Sequence, residues 1–340
     1  MNAKVKKIIK YVLSFALAGG LIAYSCSKVD WNSFGKAMQS CNWAFILLAL
    51  LAGFVAMYFR ALRWRLTIKP IAPSITRMTS FHGVNIGNLS NMAVPYSGEL
   101  VRCGVITSGS GAPYDQVLGT VALDRVWDLV SMFATFLLVL LLGGGSFGEF
   151  VAGWVRESFN ASFLLVIALL VAAGAAFVVA VALLRKQDNG LGRLCARIYG
   201  LLQGMLQGFG SCIRMKGKWL FVLYTVVIWS MYWLQSVCTI NALGGVFGGL
   251  GLTDALCLTL IGSLASVLPA PGGFGTFHAI IQFALSSVYF QGIMSLDKVA
   301  ADSYGMTYAI MAHETQALGF IILGVFSLIL LSLNKKKSAI

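Results

Sequence analysis

Apolar residues along this chain fall in long runs separated by short polar, basic or Gly/Pro-rich stretches. Six runs, near 8–26, 42–59, 117–142, 161–184, 219–240 and 304–333, suit a hydrocarbon core of about 30 Å, which takes about 20 helical residues to cross. Two further stretches, about 78–109 and about 252–292, are apolar but carry proline near their middles: Pro95 in the first, Pro269 and Pro271 in the second. Proline stops a helix and biases the residue before it away from helical geometry. Each stretch is therefore predicted to be a helical hairpin with its tip at the prolines. Irregular backbone at membrane depth is tolerated only where protein or a water-filled cavity covers it, so the hairpins are expected to be re-entrant. The pattern predicts an all-α integral membrane protein of six full spans plus two opposed re-entrant hairpins. A β-barrel would show alternating segments of about 10 residues instead.

Composition sharpens this reading. The 340 residues are 58% hydrophobic and 11% charged, whereas soluble domains carry about 25% charged residues. A water-soluble protein is excluded. The net charge of +13 does not point to nucleic acid, because Lys and Arg sit between the apolar runs, as the positive-inside rule expects of cytoplasmic loops. With the N-terminus in the cytoplasm and each hairpin returning to its own side, twenty Lys/Arg fall inside and four outside (Lys28, Lys36, Arg156, Lys298), with Arg125 in a span. A multi-pass protein of the cell membrane with both termini cytoplasmic is expected. The lysines before the first run and Ser25-Cys26 superficially resemble a secretory signal. The residues before Cys26 fit cleavage poorly and further spans follow, so the run reads as an uncleaved span. Seven scattered Cys without ligand spacing read as small apolar membrane residues.

The layout repeats. Residues 1–150 read span, span, hairpin from the cytoplasm, span; residues 151–340 read the same order with the hairpin entering from outside. This is an inverted-topology repeat, with a faint echo in Pro95-x-x-Gly98 and Pro269-x-x-Gly272. Paired broken segments in corresponding halves are the best sequence pointer to a transporter's binding site. Between the halves, the basic stretch 185–218 carries apolar residues at helical spacing from Leu191 to Phe209. It is expected to be either an amphipathic helix on the inner leaflet or a connector packed on other helices.

Charged side chains inside membrane segments are costly and mark function or a buried pair. Those in question are Glu99, Arg102, Asp124, Arg125, Asp128 and Glu314, and His82, His278 and His313 lie in the same regions. Asp124 and Asp128 share a helix face with Arg125 beside it, which suits either a structural ion pair or a polar lining for a headgroup or a coupling ion. His82, Asn85, Asn88 and Asn91 recur every three residues, as interhelical glue or as part of a site. Glu99 and Arg102 at i, i+3 can pair. The second tip, Pro269-Ala270-Pro271-Gly272-Gly273-Phe274-Gly275, offers glycines that let backbone approach a ligand and a helix start that attracts anions. Enzyme motifs fail: His313-Glu314-Thr315-Gln316-Ala317 is not H-E-x-x-H, and neither a P-loop nor a G-x-S-x-G elbow occurs. No enzyme activity and no cofactor are expected.

The ordered motifs Asn88-x-x-Asn91-x-x-x-Pro95-x-x-Gly98-Glu99-x-x-Arg102, Asp124-Arg125-x-x-Asp128 and Pro269-x-Pro271-Gly272-Gly273-x-Gly275 resemble the lysylphosphatidylglycerol synthase transmembrane-region family. The resemblance implies a flippase-like protein that moves phospholipid between leaflets. His278 stands where family members commonly carry an acidic residue, and no stretch here matches the soluble aminoacyl-transfer domain, so synthase activity is not implied. The expected partner is a membrane phospholipid or lipid-linked substrate, with ion coupling through His278, His313 or Glu314 and homo-oligomerisation left open; a membrane-embedded enzyme or scaffold acting on a lipid-linked substrate is the alternative. The topology has a direct check. A cysteine at Ser97 should label from the cytoplasmic side and one at Gly273 from outside; labelling of both from one side would remove the inverted repeat.

Overall fold

The computed structural model describes residues 31–143, 145–158, 161–187, 190–210 and 215–337. The predicted span near 8–26 lies outside them. The described residues are predominantly helical and contain no strand. In chain order the helices are α1 (Trp31–Ser40), α2 (Trp43–Ile68), α3 (Arg77–Ala93), α4 (Ser97–Ser110), α5 (Tyr114–Leu141), α6 (Gly148–Ser158), α7 (Ala161–Leu184), α8 (Gly190–Phe209), α9 (Lys218–Leu243), α10 (Leu252–Ala265), α11 (Thr276–Ala284) and α12 (Lys298–Lys337). A π-helix, Leu285–Ile293, continues α11.

Local chemistry sets these limits. Asn42 caps α2 by accepting from the Ala44 amide at 3.1 Å, and α2 ends just before Pro70. Thr76 caps α3 through the Thr79 amide at 3.0 Å. Val94 is extended, as a residue before proline prefers, and this ends α3. Asp297 caps α12 by accepting from the amides of Val299 (2.9 Å) and Ala300 (3.1 Å). Among the described residues, α2, α9 and α12 are long and apolar enough to cross a membrane, and α5 joins them if counted with α6 beyond an 88° bend. The unpredicted α1 and α6 are short helices flanking longer apolar ones.

Both proline-interrupted stretches are helix–break–helix units. The first is α3, a turn at Val94–Tyr96, and α4; the second is α10, a turn through Pro271–Gly275, and α11. The residue after the proline has the same backbone in both: Tyr96 at φ 59, ψ 7 and Gly272 at φ 59, ψ 7. The corresponding tip residues are thus Pro95-Tyr96 and Pro271-Gly272, so the sequence echo through Pro269 was two residues out of register. The tips meet: the Tyr96 hydroxyl donates to the Val267 carbonyl at 2.5 Å.

Two apolar cores flank this meeting point. One gathers Ala56, Trp64, Ile68, Ile106 and Val121 from α2, α4 and α5. The other gathers Phe147, Leu258, Ile281, Phe290 and Tyr308 from the later helices. Between them α2 lies along α9. The basic stretch forms α8, which packs on α5 through glycines: a Cβ at Gly119 would collide with the Met205 carbonyl, and one at Gly208 with that of Gln116. Leu194, Leu201 and Leu206 stay exposed on its other side.

Small residues bring helices close where lipid supplies no hydrophobic drive to associate. Gly98 and Gly87 do this between α4 and α3, and a Cβ at Gly98 would run into the Gly87 carbonyl oxygen. Gly98→Ala should therefore lower the thermal midpoint in detergent, at a cost of about 1–3 kcal/mol from overpacking. Gly104→Ala on the same helix, where a Cβ meets nothing within 4 Å, should leave it unchanged.

Candidate functional site

Burying charge is affordable only with close partners, and α2, α4 and α5 supply them to one another. Arg63 is 0% exposed and Asp124 2%. Arg63 Nη2 donates to Asp124 Oδ1 at 2.5 Å and to Asp128 Oδ1 at 2.6 Å, and Nε adds a bond to Asp124 at 3.1 Å. Arg60, one turn earlier on α2, donates to Asp128 Oδ2 at 2.8 Å and to the Tyr232 hydroxyl of α9 at 3.0 Å. Arg102, 5% exposed, reaches Asp124 Oδ2 at 3.4 Å and lies over the Trp64 ring, 4.8 Å from its centroid. Arg125 pairs with Glu99.

This arrangement corrects three expectations. Glu99 does not pair with Arg102: the arginine turns into the protein toward Asp124 and Trp64, and Glu99 meets Arg125 across helices. Asp124, Arg125 and Asp128 are only partly self-contained: Arg125 reaches Asp128 Oδ2 at 3.8 Å, but it lies about 100° around the helix from Asp124 and is 46% exposed. Their counter-charges come from Arg60 and Arg63, which the charge count had placed in a cytoplasmic loop. Both are part of α2, and moving them leaves the count at eighteen to four. A signal for them was available: no breaker intervenes before Pro70, and arginines three apart on one face match aspartates four apart on another helix.

The asparagine ladder splits into separate duties. Asn85 donates back to the Phe81 carbonyl at 3.0 Å and Asn88 to the Met57 sulfur at 3.1 Å. Asn91 Oδ1 accepts from the Gly98 amide at 2.7 Å, capping α4 across the Pro95 turn.

The second tip builds a smaller cluster. Gly272, Gly273 and Gly275 all take positive φ (59°, 79° and 82°), geometry that glycine adopts without penalty. Pro271 is buried there, while Pro269 lies in the connection from α10. His278 Nε2 and His313 Nδ1 each lie 3.4 Å from Glu314 Oε1. The imidazoles are buried, whereas Glu314 is 47% exposed. His313 Nε2 meets the Gly272 carbonyl at 3.0 Å, and the Gly275 amide donates to His278 Nδ1 at 3.4 Å. The three ligand atoms lie within 4.8 Å of one another, compact enough for a metal ion, but the Gly275 bond leaves the neutral His278 proton on Nε2, the nitrogen that would have to ligate.

A third feature lies on the opposite face of α2. A cavity of about 610 Å³ opens among Arg65, Lys69, Arg77 and Lys216, with Leu62 and Leu220 at its edge.

Span-length apolar helices and a buried charge cluster beside a broken helix, among described residues that contain no strand, mark an integral membrane protein. The chain belongs to the family described as lysylphosphatidylglycerol synthase TM region, whose model matches residues 11–324. No curated protein and no solved structure matches it. The family ties the chain to lipid metabolism or lipid movement in the membrane.

Removing Arg63 separates a structural pair from its surroundings. Arg63→Leu should destabilise by about 3–5 kcal/mol, because two carboxylates lose their main counter-charge. Arg63→Leu with Asp124→Leu should recover part of that loss in detergent unfolding; an equal or larger loss would contradict the pairing.

Proposed function

We propose that this protein is a lipid translocator that takes an anionic phospholipid headgroup at the Arg60–Arg63–Arg102 cluster and moves it between leaflets. The supporting observation is a set of unfilled hydrogen bonds. Arg63 Nη1 and Arg102 Nε and Nη2 are buried with no hydrogen-bond partner among the described residues, although buried polar groups are nearly always satisfied. The cluster holds four arginines against Glu99, Asp124 and Asp128, leaving one positive charge over. One phosphodiester carries one negative charge and the acceptor oxygens that guanidinium donors suit. Glu99 Oε2, also buried and unpartnered, would accept from a headgroup hydroxyl or amine. The acyl chains would remain in lipid.

The remaining features agree with this reading. The tips are turns of matching backbone that meet; in this reading they belong to opposed halves of an inverted repeat and would be re-entrant from opposite sides, where a transporter of this type would bind its cargo. The basic cavity and α8 would lie at the cytoplasmic surface, where cationic groups attract anionic lipid. Both termini would be cytoplasmic and the chain multi-pass. The protein is read here as a transporter and not an enzyme.

The test uses liposomes of purified protein and fluorescent phosphatidylglycerol, with a quencher that reaches one leaflet only. Wild-type protein should move the lipid. Arg102→Gln should slow movement by at least about tenfold, equivalent to one lost interaction of about 1.4 kcal/mol, while the fold survives because Arg63 still compensates Asp124. Unchanged movement in a folded Arg102→Gln protein would refute the headgroup site. A change in lipid mass instead of sidedness would refute the transporter.

A further inference from the structure

We infer that the second tip binds one exchangeable proton, held by His313 and Glu314, and that this proton is the ion coupled to lipid movement; the coupling rests on the translocator reading, the proton site does not. The argument starts from donors and acceptors. The Gly272 carbonyl can only accept, so His313 Nε2, 3.0 Å away, carries a hydrogen. A neutral His313 would then present the bare lone pair of Nδ1 to Glu314 Oε1 at 3.4 Å. Lone pair against carboxylate oxygen is repulsive, and a proton on Nδ1 turns it into a charge-assisted bond.

His278 completes the site without competing for that proton. Its Nδ1 accepts from the Gly275 amide, so a neutral ring has its hydrogen on Nε2, aimed at Glu314 Oε1 at 3.4 Å. The carboxylate thus receives one neutral N–H from His278 and the titratable one from His313. A metal ion would need the Nε2 lone pair of His278 and the loss of the Gly275 bond.

Among the described residues, no other charged group pairs with this cluster. The imidazoles contact each other, with centroids 4.8 Å apart, and the rings of Phe274 and Phe277. Phe277 in turn stands against Gly262 of α10, and the α3 backbone reaches the tip at Met92. Among the described residues, Glu314 has ion-pair partners only in these two histidines. The site is gated by one exposed edge, since Glu314 is 47% exposed while both rings are buried.

Position in the fold gives the proton its role. Arg102 lies six residues beyond Tyr96, and His278 six beyond Gly272, the two tip residues of identical backbone. Each projects to a carboxylate on the long helix that follows: Arg102 to Asp124 of α5, His278 to Glu314 of α12. The first half therefore carries a permanent cation where the second carries the neutral His278, and the proton that faces Glu314 sits beside it on His313 of α12. A proton on Nδ1 ties Glu314 of α12 to the ring that also holds the Gly272 carbonyl, the φ 59 residue of the tip, and loss of that proton removes the tie to Glu314.

The chain contains three histidines, His82, His278 and His313, so ¹⁵N-histidine NMR of the full protein in lipid nanodiscs can assign them by single substitution. As pH rises, His313 is expected to pass from doubly protonated to Nε2–H, the form its bond to Gly272 selects, and Glu314→Gln to abolish the doubly protonated form. A neutral Nδ1–H His313, or one that never titrates, overturns the proton site. So does a shift of both imidazole signals on adding one equivalent of Zn²⁺, which would mark a metal site. Coupling is read separately, as the steady-state leaflet ratio of fluorescent phosphatidylglycerol in liposomes under an imposed pH difference of one unit. One proton per lipid skews that ratio by up to about tenfold, and Glu314→Gln is expected to remove the skew. Wild-type movement with no skew overturns the coupling. No movement at any pH condemns the translocator reading, and the NMR titration still decides the proton site.

Discussion

Everything in the first half of this protein depends on keeping charge buried at a broken helix. A lone charge in that setting costs at least about 2.5–3.5 kcal/mol on insertion scales, so Asp124 is tenable only because Arg63, Arg60 and Arg102 converge on it. That convergence needs α2 to run nine residues past the end of its apolar run, to Ile68. It also needs α4 to approach α3 at the Gly98–Gly87 contact, and Asn91 to start α4 at the right angle. The glycines, the asparagine and the proline of the first tip serve the ion network more than they serve a ligand directly.

The two tips solve the same backbone problem with different side chains. Tyr96 takes a left-handed conformation that a non-glycine residue adopts at some cost, and its hydroxyl bond to Val267 offsets that cost while joining the hairpins. Gly272 takes the same conformation freely and leaves room for His313 to reach its carbonyl. One tip is held by a side chain from within, the other by an imidazole from α12.

Much of this was legible in the sequence, because proline and hydropathy act locally. The break at Pro95, the limits of α7 and the helix in the basic stretch follow from residues adjacent in the chain. Partner choice was not legible in the same way. Glu99 and Arg102 are neighbours on one helix, yet each finds a better-placed partner on another, and only packing decides that. Arg60 and Arg63 were missed because a hydropathy window ends where charge begins, although the helix does not. The pairing of His278 with Glu314 spans a π-helical segment whose length no periodicity announces.

The central claim is that the spare guanidinium donors of Arg63 and Arg102 exist to hold a lipid phosphate. An electron cryo-microscopy structure in phosphatidylglycerol nanodiscs tests it most directly. The account predicts phosphate density about 3 Å from Arg102 Nε or Nη2, with Arg63 Nη1 facing the same group. Density there for water alone, or a rearranged carboxylate filling those donors with the lipid excluded, would contradict it.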